Sequence, residues 1–238
     1  MGLGPRPPAR PYDWSAYGAG AYFFARVCGA RRWHPASAGV LGAAVFAVLM
    51  LLVTFVHWDR LNHGDGPLLA AVAFYGWVGV YLIAPALAGV PWLRNQRTDP
   101  RAPAPGEPLV PLAVRRGARA FAAGALLAAA IFLLWPSIAV AAWPWELTPL
   151  TARILGCFTA QIGLSALVLS LDERWSAWRL VVQTFLVATA LLLAGAVRAF
   201  GDFDQGNPLT WCYLVGLLGT ALGLLALYRR LERQHMEP

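Results

Sequence analysis

The segment Phe55-Val56-His57-Trp58-Asp59-Arg60-Leu61-Asn62-His63-Gly64-Asp65-Gly66 concentrates two imidazoles and two carboxylates within a few residues. These are metal-binding side chains, and His57, His63 and Asp65 are the ligands such a site would use. Their spacing matches no established ligand pattern, and no further histidine falls on the same side of the chain's apolar runs. A solvated loop carrying an interfacial tryptophan accounts for the string more simply. Haem ligation is disfavoured too. It takes axial histidines on facing helices, whereas His57 ends one expected helix and no other expected helix holds a histidine. No cofactor is implied.

A second polar string, Trp143-Pro144-Trp145-Glu146-Leu147-Thr148-Pro149-Leu150-Thr151-Ala152-Arg153, precedes another apolar run. Glu146 can pair with Arg153, and Arg153 with Asp202 or Asp204 in a later loop, while Arg198 offers a further partner. With Asp59 these residues make a candidate binding cluster that closes or lines one end of a bundle. Ordinary capping and snorkelling at helix ends is the competing explanation. Inside the apolar runs the polar groups are Gln161, Gln183, Thr159, Ser165, Thr184, Thr189 and Thr220. No acid, lysine or histidine lies mid-run, which argues against ion-coupled transport.

The elements that must position these groups are long and apolar. Of the 238 residues 58% are hydrophobic and 13% charged, against about 25% charged in a soluble domain, and mean hydropathy is +0.55. A helix of about 20 residues crosses a hydrocarbon core of about 30 Å. Runs near 37–57, 67–90, 119–141, 151–171, 178–198 and 208–228 meet that length. Backbone groups find no water in hydrocarbon, so the expectation is an all-α polytopic bundle of six transmembrane helices. Pro85 and Pro136 should bend their helices.

The connecting segments alternate in charge. The N-terminal arm, the 91–118 loop, the 172–179 loop and the C-terminal tail hold sixteen arginines, counting Arg119 at a helix start, and seven acids; the intervening segments hold three arginines and five acids. By the positive-inside rule both termini are cytoplasmic. The same asymmetry explains the net charge of +7 without any nucleic-acid partner. All 19 basic residues are arginine, a composition typical of a high-GC genome, so a bacterial inner membrane is the expected location.

Residues 1–36 form a basic, aromatic cytoplasmic arm with an interfacial helix from about Trp14 to Val27, capped by Asp13. The six-helix domain covers 37–228, with 91–118 a proline-rich, disordered cytoplasmic tether, and 229–238 is a cytoplasmic tail. Helix starts at Gly66-Pro67, Thr148-Pro149 and Asn207-Pro208 resemble one another, each preceded by an acid. They suggest three parallel helical hairpins, although shared capping chemistry produces the same pattern. Small residues at spacing four (Gly39/Ala43/Ala47, Gly156/Ala160, Gly219/Gly223) permit close helix packing or homo- or hetero-oligomer contacts. The partner required by composition is the lipid bilayer. Cys157 and Cys212 are read as packing residues, with a bridge between them as the alternative.

The strings Trp143 to Arg153 and Phe55 to Arg60 resemble those of uncharacterised multi-helix integral membrane proteins of high-GC, actinobacterial-type bacteria. That resemblance implies an inner-membrane location and carries no activity. The leading expectation is a non-catalytic binding or accessory membrane subunit. A permease-like protein for small solutes or lipids comes second, and a membrane-embedded enzyme using the outer-face loops third.

Overall fold

The computed structural model describes residues 13–30, 32–61, 67–99 and 101–236, which are predominantly helical with no β-strand among them. In chain order the helices are α1 (Asp13–Cys28), α2 (His34–Val56), α3 (Leu68–Asn95), α4 (Leu112–Leu134), α5 (Pro136–Ala142), α6 (Pro149–Ser170), α7 (Trp175–Arg198) and α8 (Pro208–Met236). Six of them, all but α1 and α5, are long and apolar enough to cross a bilayer. The protein is an all-α polytopic bundle.

Sequence chemistry explains where the helices start. Thr148 accepts a hydrogen bond from the Thr151 N–H (3.2 Å) and Thr151 Oγ1 accepts one from the Thr148 N–H (2.8 Å), a reciprocal cap before Pro149. Asn207 Oδ1 accepts from the Leu209 N–H at 3.0 Å, ahead of Pro208. The run expected as one span at 119–141 is divided. Trp135 leaves the helix (φ −126°, ψ 62°), and Pro136, which has no N–H to donate, opens α5. Helix α4 starts at Leu112 rather than 119, carrying Arg115, Arg116 and Arg119 beyond the apolar run. Pro85 and Pro91 lie within an unbroken α3.

Consecutive spans pack as three hairpins: α2 with α3, α4 with α6, and α7 with α8. Helix α2 also touches α6 and α7 and so stands between the pairs. Glycine makes two of these contacts possible. Gly42 lies against Ser165 and Gln161 of α6, and a Cβ at Gly156 would come within 3.0 Å of Leu133 in α4. Gly216, Gly219 and Gly223 of α8 meet nothing within 4 Å and face outward. Cys157 is buried, Cys212 exposed, and both are free.

Helix α1 covers the stretch expected to be helical, but it lies lengthwise against α7. Gly18 sits against Leu191, Tyr22 donates to Gln183 Oε1 (3.2 Å), and Ala25 and Gly29 face Ser176 and Arg179. The two helices therefore run antiparallel, and Gly18 lies nearer the Arg198 end of α7. No charge separates Asp13 from Arg26, so this stretch can enter hydrocarbon while Ala19 and Phe23 are buried. Asp13 opens α1; its side chain, with residues 1–12, lies outside the described residues. Gly20 has open space beside it. In a chain whose three cysteines are changed to alanine, Gly20→Cys should therefore resist a membrane-impermeant maleimide in intact membranes. Ready labelling would place α1 in the water-exposed headgroup layer instead.

Candidate functional site

At the arginine-poor end, loops meet through aromatic and backbone groups. Trp145 packs edge-on against Trp143, Phe203 and Tyr213 at centroid distances of 5.1–5.5 Å. The Asp204 N–H donates to Pro144 O (3.0 Å), and Asn207 Nδ2 donates to Ala142 O (3.3 Å). The loops carrying the expected polar cluster are thus together. Their charged groups stand apart: Asp59, Glu146, Arg198, Asp202 and Asp204 are exposed, and no ion pair joins any of them to Arg153 among the described residues.

Arg153 has other partners. Its Nε donates to Leu133 O (3.0 Å), a carbonyl released by the break at Trp135–Pro136, and its Nη1 lies 2.9 Å from His57 Nε2. A guanidinium can only donate, so His57 Nε2 accepts and its proton is on Nδ1. Burial, followed by the charges of Arg153 and Arg60, holds the His57 pKa below its usual value. The nitrogen a metal would take is occupied by Arg153, and His63 and Asp65 lie outside the described residues. Among the described residues no group of three metal-binding side chains converges.

The most developed polar structure lies at the other, arginine-rich end. Arg174, at the N-cap of α7 and 3% exposed, is bidentate to Asp99 (2.6 and 2.8 Å) and also binds Asp172 (2.6 Å). Its hydrogen bonds hold the Asp99 carboxyl down to about 2 despite burial, and the two carboxylates push the Arg174 pKa up. The backbone joins the same junction. The Val110 N–H donates to Glu173 O (2.7 Å), the Trp175 N–H donates to Pro108 O (3.1 Å), and Val110 is buried beside Trp175 and Leu231. The 91–118 segment expected as a disordered tether is therefore a docked strap. Its prolines remove donors, while its few remaining N–H groups and Val110 supply specific contacts.

Glu107 of this strap caps α7. Its Oε1 accepts from the Ser176 N–H (2.9 Å) and closely from Ser176 Oγ. Burial raises the Glu107 pKa, but the bonds from Ser176 and the Ala104 N–H prevail and lower it. Because Ser176 spends its hydrogen on Glu107, His34 Nε2, 2.9 Å away, must be the donor to Ser176 Oγ. Arg179 pairs with Glu232, and Trp175 Nε1 donates to the same carboxylate (3.3 Å), which ties α7 to the end of α8. Arg119 donates to Ser170 O (3.2 Å) and so fastens α4 to α6. This junction was missed from sequence. A usable signal was present: Asp172-Glu173-Arg174 puts two acids in a connection otherwise dominated by arginine.

Within the spans, polar groups are consumed in packing. Thr54, Thr159, Thr184, Thr189 and Thr220 each donate to the carbonyl four residues earlier, and Ser165 donates across to Ala38 O (3.2 Å). Gln183 links Tyr22 of α1 to Tyr228 of α8. Comparison of the chain with protein-family models, with curated proteins and with solved structures gives no match.

Arg174→Ala strands two carboxylates and should cost about 3–5 kcal/mol of stability, read as a lower melting temperature in detergent. The exposed Arg198→Ala serves as the unchanged control. Asp99 has a lowered folded pKa, so its contribution, on the order of 2 kcal/mol, is complete above the usual carboxylate range. It is lost as pH falls from about 4 towards 2. Wild-type melting should drop across that window, and Arg174→Ala should flatten the drop. Equal melting of Arg174→Ala and wild type would refute this role.

Proposed function

We propose that this protein is a non-catalytic, lipid-interacting binding or accessory subunit of a bacterial inner membrane. The observation carrying this reading is how its polar groups are used. Those inside the spans are spent within the bundle, the threonines on their own helix backbone and Ser165 and Gln183 on neighbouring helices. The charged groups at the arginine-rich end build an ordered junction between two inter-helix connections and the end of α8. Such a molecule holds a fixed shape in the bilayer and offers its surfaces to lipid or to other subunits.

The arginine asymmetry orients it, with the arginine-rich end and the C-terminal tail in the cytoplasm. A reporter fused after Pro238, or placed within 101–106, should then be active on the cytoplasmic side, and one within 201–206 on the opposite side. Reversal of either would overturn the orientation. Native mass spectrometry of gently extracted protein should show retained lipid or a partner subunit. A clean, ligand-free monomer would overturn the proposed function.

A further inference from the structure

A cavity of about 480 Å³ opens at the arginine-rich end between α1, the start of α2 and the first turns of α7. Its size falls in the roughly 300–1,000 Å³ range of ligand clefts. Two guanidinium-bearing residues, Arg26 and Arg179, line it, and no lining residue is acidic. Arg26 is exposed in the last turn of α1 and makes no ion pair or hydrogen bond among the described residues. Arg179 gives Nη2 to Glu232, but its Nε is buried and has no hydrogen-bond partner. The site thus holds one uncommitted cation and one unsatisfied charged donor.

The other polar walls are already committed. Ser176 donates to Glu107, and Gln183 spans Tyr22 and Tyr228. The remaining lining includes Pro35, Leu180 and Ala25, an apolar surface suited to glyceride carbons. Phe24, which precedes the lining residue Ala25 in α1, is exposed. A phosphate oxygen pairs well with guanidinium donors, and an attached acyl chain would follow that exposed surface into hydrocarbon.

We propose that this cavity binds the phosphate of an anionic phospholipid, held by Arg26 and Arg179. The proposal rests on the lipid-interacting reading above and gives it a site and a headgroup class. Charge complementarity selects an anionic headgroup, and the apolar walls distinguish a phospholipid from free phosphate, which would use only the arginines.

The test is native mass spectrometry of the full chain titrated with phosphatidylglycerol or phosphatidylcholine, repeated with inorganic phosphate as competitor. Wild type should prefer phosphatidylglycerol. Arg26→Gln, at an exposed position with no partner to lose, should weaken that binding about tenfold, as expected for one charge-assisted contact, and leave phosphatidylcholine unchanged. Arg26→Gln combined with Arg179→Gln should abolish the preference, while Arg198→Gln at the opposite end should retain it. Unaltered preference in Arg26→Gln would overturn the site while leaving lipid interaction standing. Retention of neither lipid by wild type would overturn the broader reading. Competition by inorganic phosphate alone, with the same arginine dependence, would overturn the lipid assignment in favour of a free phosphate.

Discussion

A guanidinium buried between two carboxylates is stable only when all three groups are held in place, because each charge alone would bear an uncompensated desolvation cost. Arg174 imposes that condition on this bundle. Asp99 lies on the connection between the second and third spans, whereas Asp172 and Arg174 lie between the fourth and fifth. Satisfying Arg174 therefore fixes the strap from Asp99 to Pro111, and the strap in turn delivers Val110 into the core and Glu107 onto the start of α7. Apolar helices in lipid have no hydrophobic reason to prefer one neighbour over another. A junction of directional, charge-assisted bonds at one end adds to the few specific contacts that the spans make themselves, those of Gly42, Gly156, Ser165 and Gln183.

The opposite end is closed by different means. Its connections carry few arginines, and the one that is drawn inward, Arg153, binds a neutral imidazole and a backbone carbonyl. The division at Trp135–Pro136 makes this possible, since an intact helix would have kept the Leu133 carbonyl for itself. The remaining closure comes from stacked and edge-on aromatic rings between the loops around Trp145 and Phe203. Aromatic packing tolerates the headgroup layer, where rings with a polar edge are at home.

Six membrane-length helices and their hairpin order were legible because hydrocarbon punishes charge so heavily that long uncharged runs have few other uses. Helix ends were less so: Arg115, Arg116 and Arg119 mark where the apolar run stops, yet the backbone continues helical through them. The role of α1 was obscured by its shortness and its aromatic, basic makeup, which suits the headgroup layer and a protein groove alike. The expected polar cluster placed Asp59, Glu146, Arg198, Asp202 and Asp204 with Arg153 by loop proximity; the loops do meet, but exposed charges gain little by pairing. The Arg174 junction escaped notice because its members are 75 positions apart in the chain, and the proline-rich composition of the strap reads as disorder unless its few anchoring contacts are seen.

That separation has a consequence for how the molecule is made. At roughly 5–20 residues per second, Arg174 leaves the ribosome about 4–15 seconds after Asp99. During that interval the first hairpin and its strap have no counter-charge to close upon. Final assembly must then wait for the fifth span, so translation order itself delays the locking of early helices until later ones have arrived to pack against them.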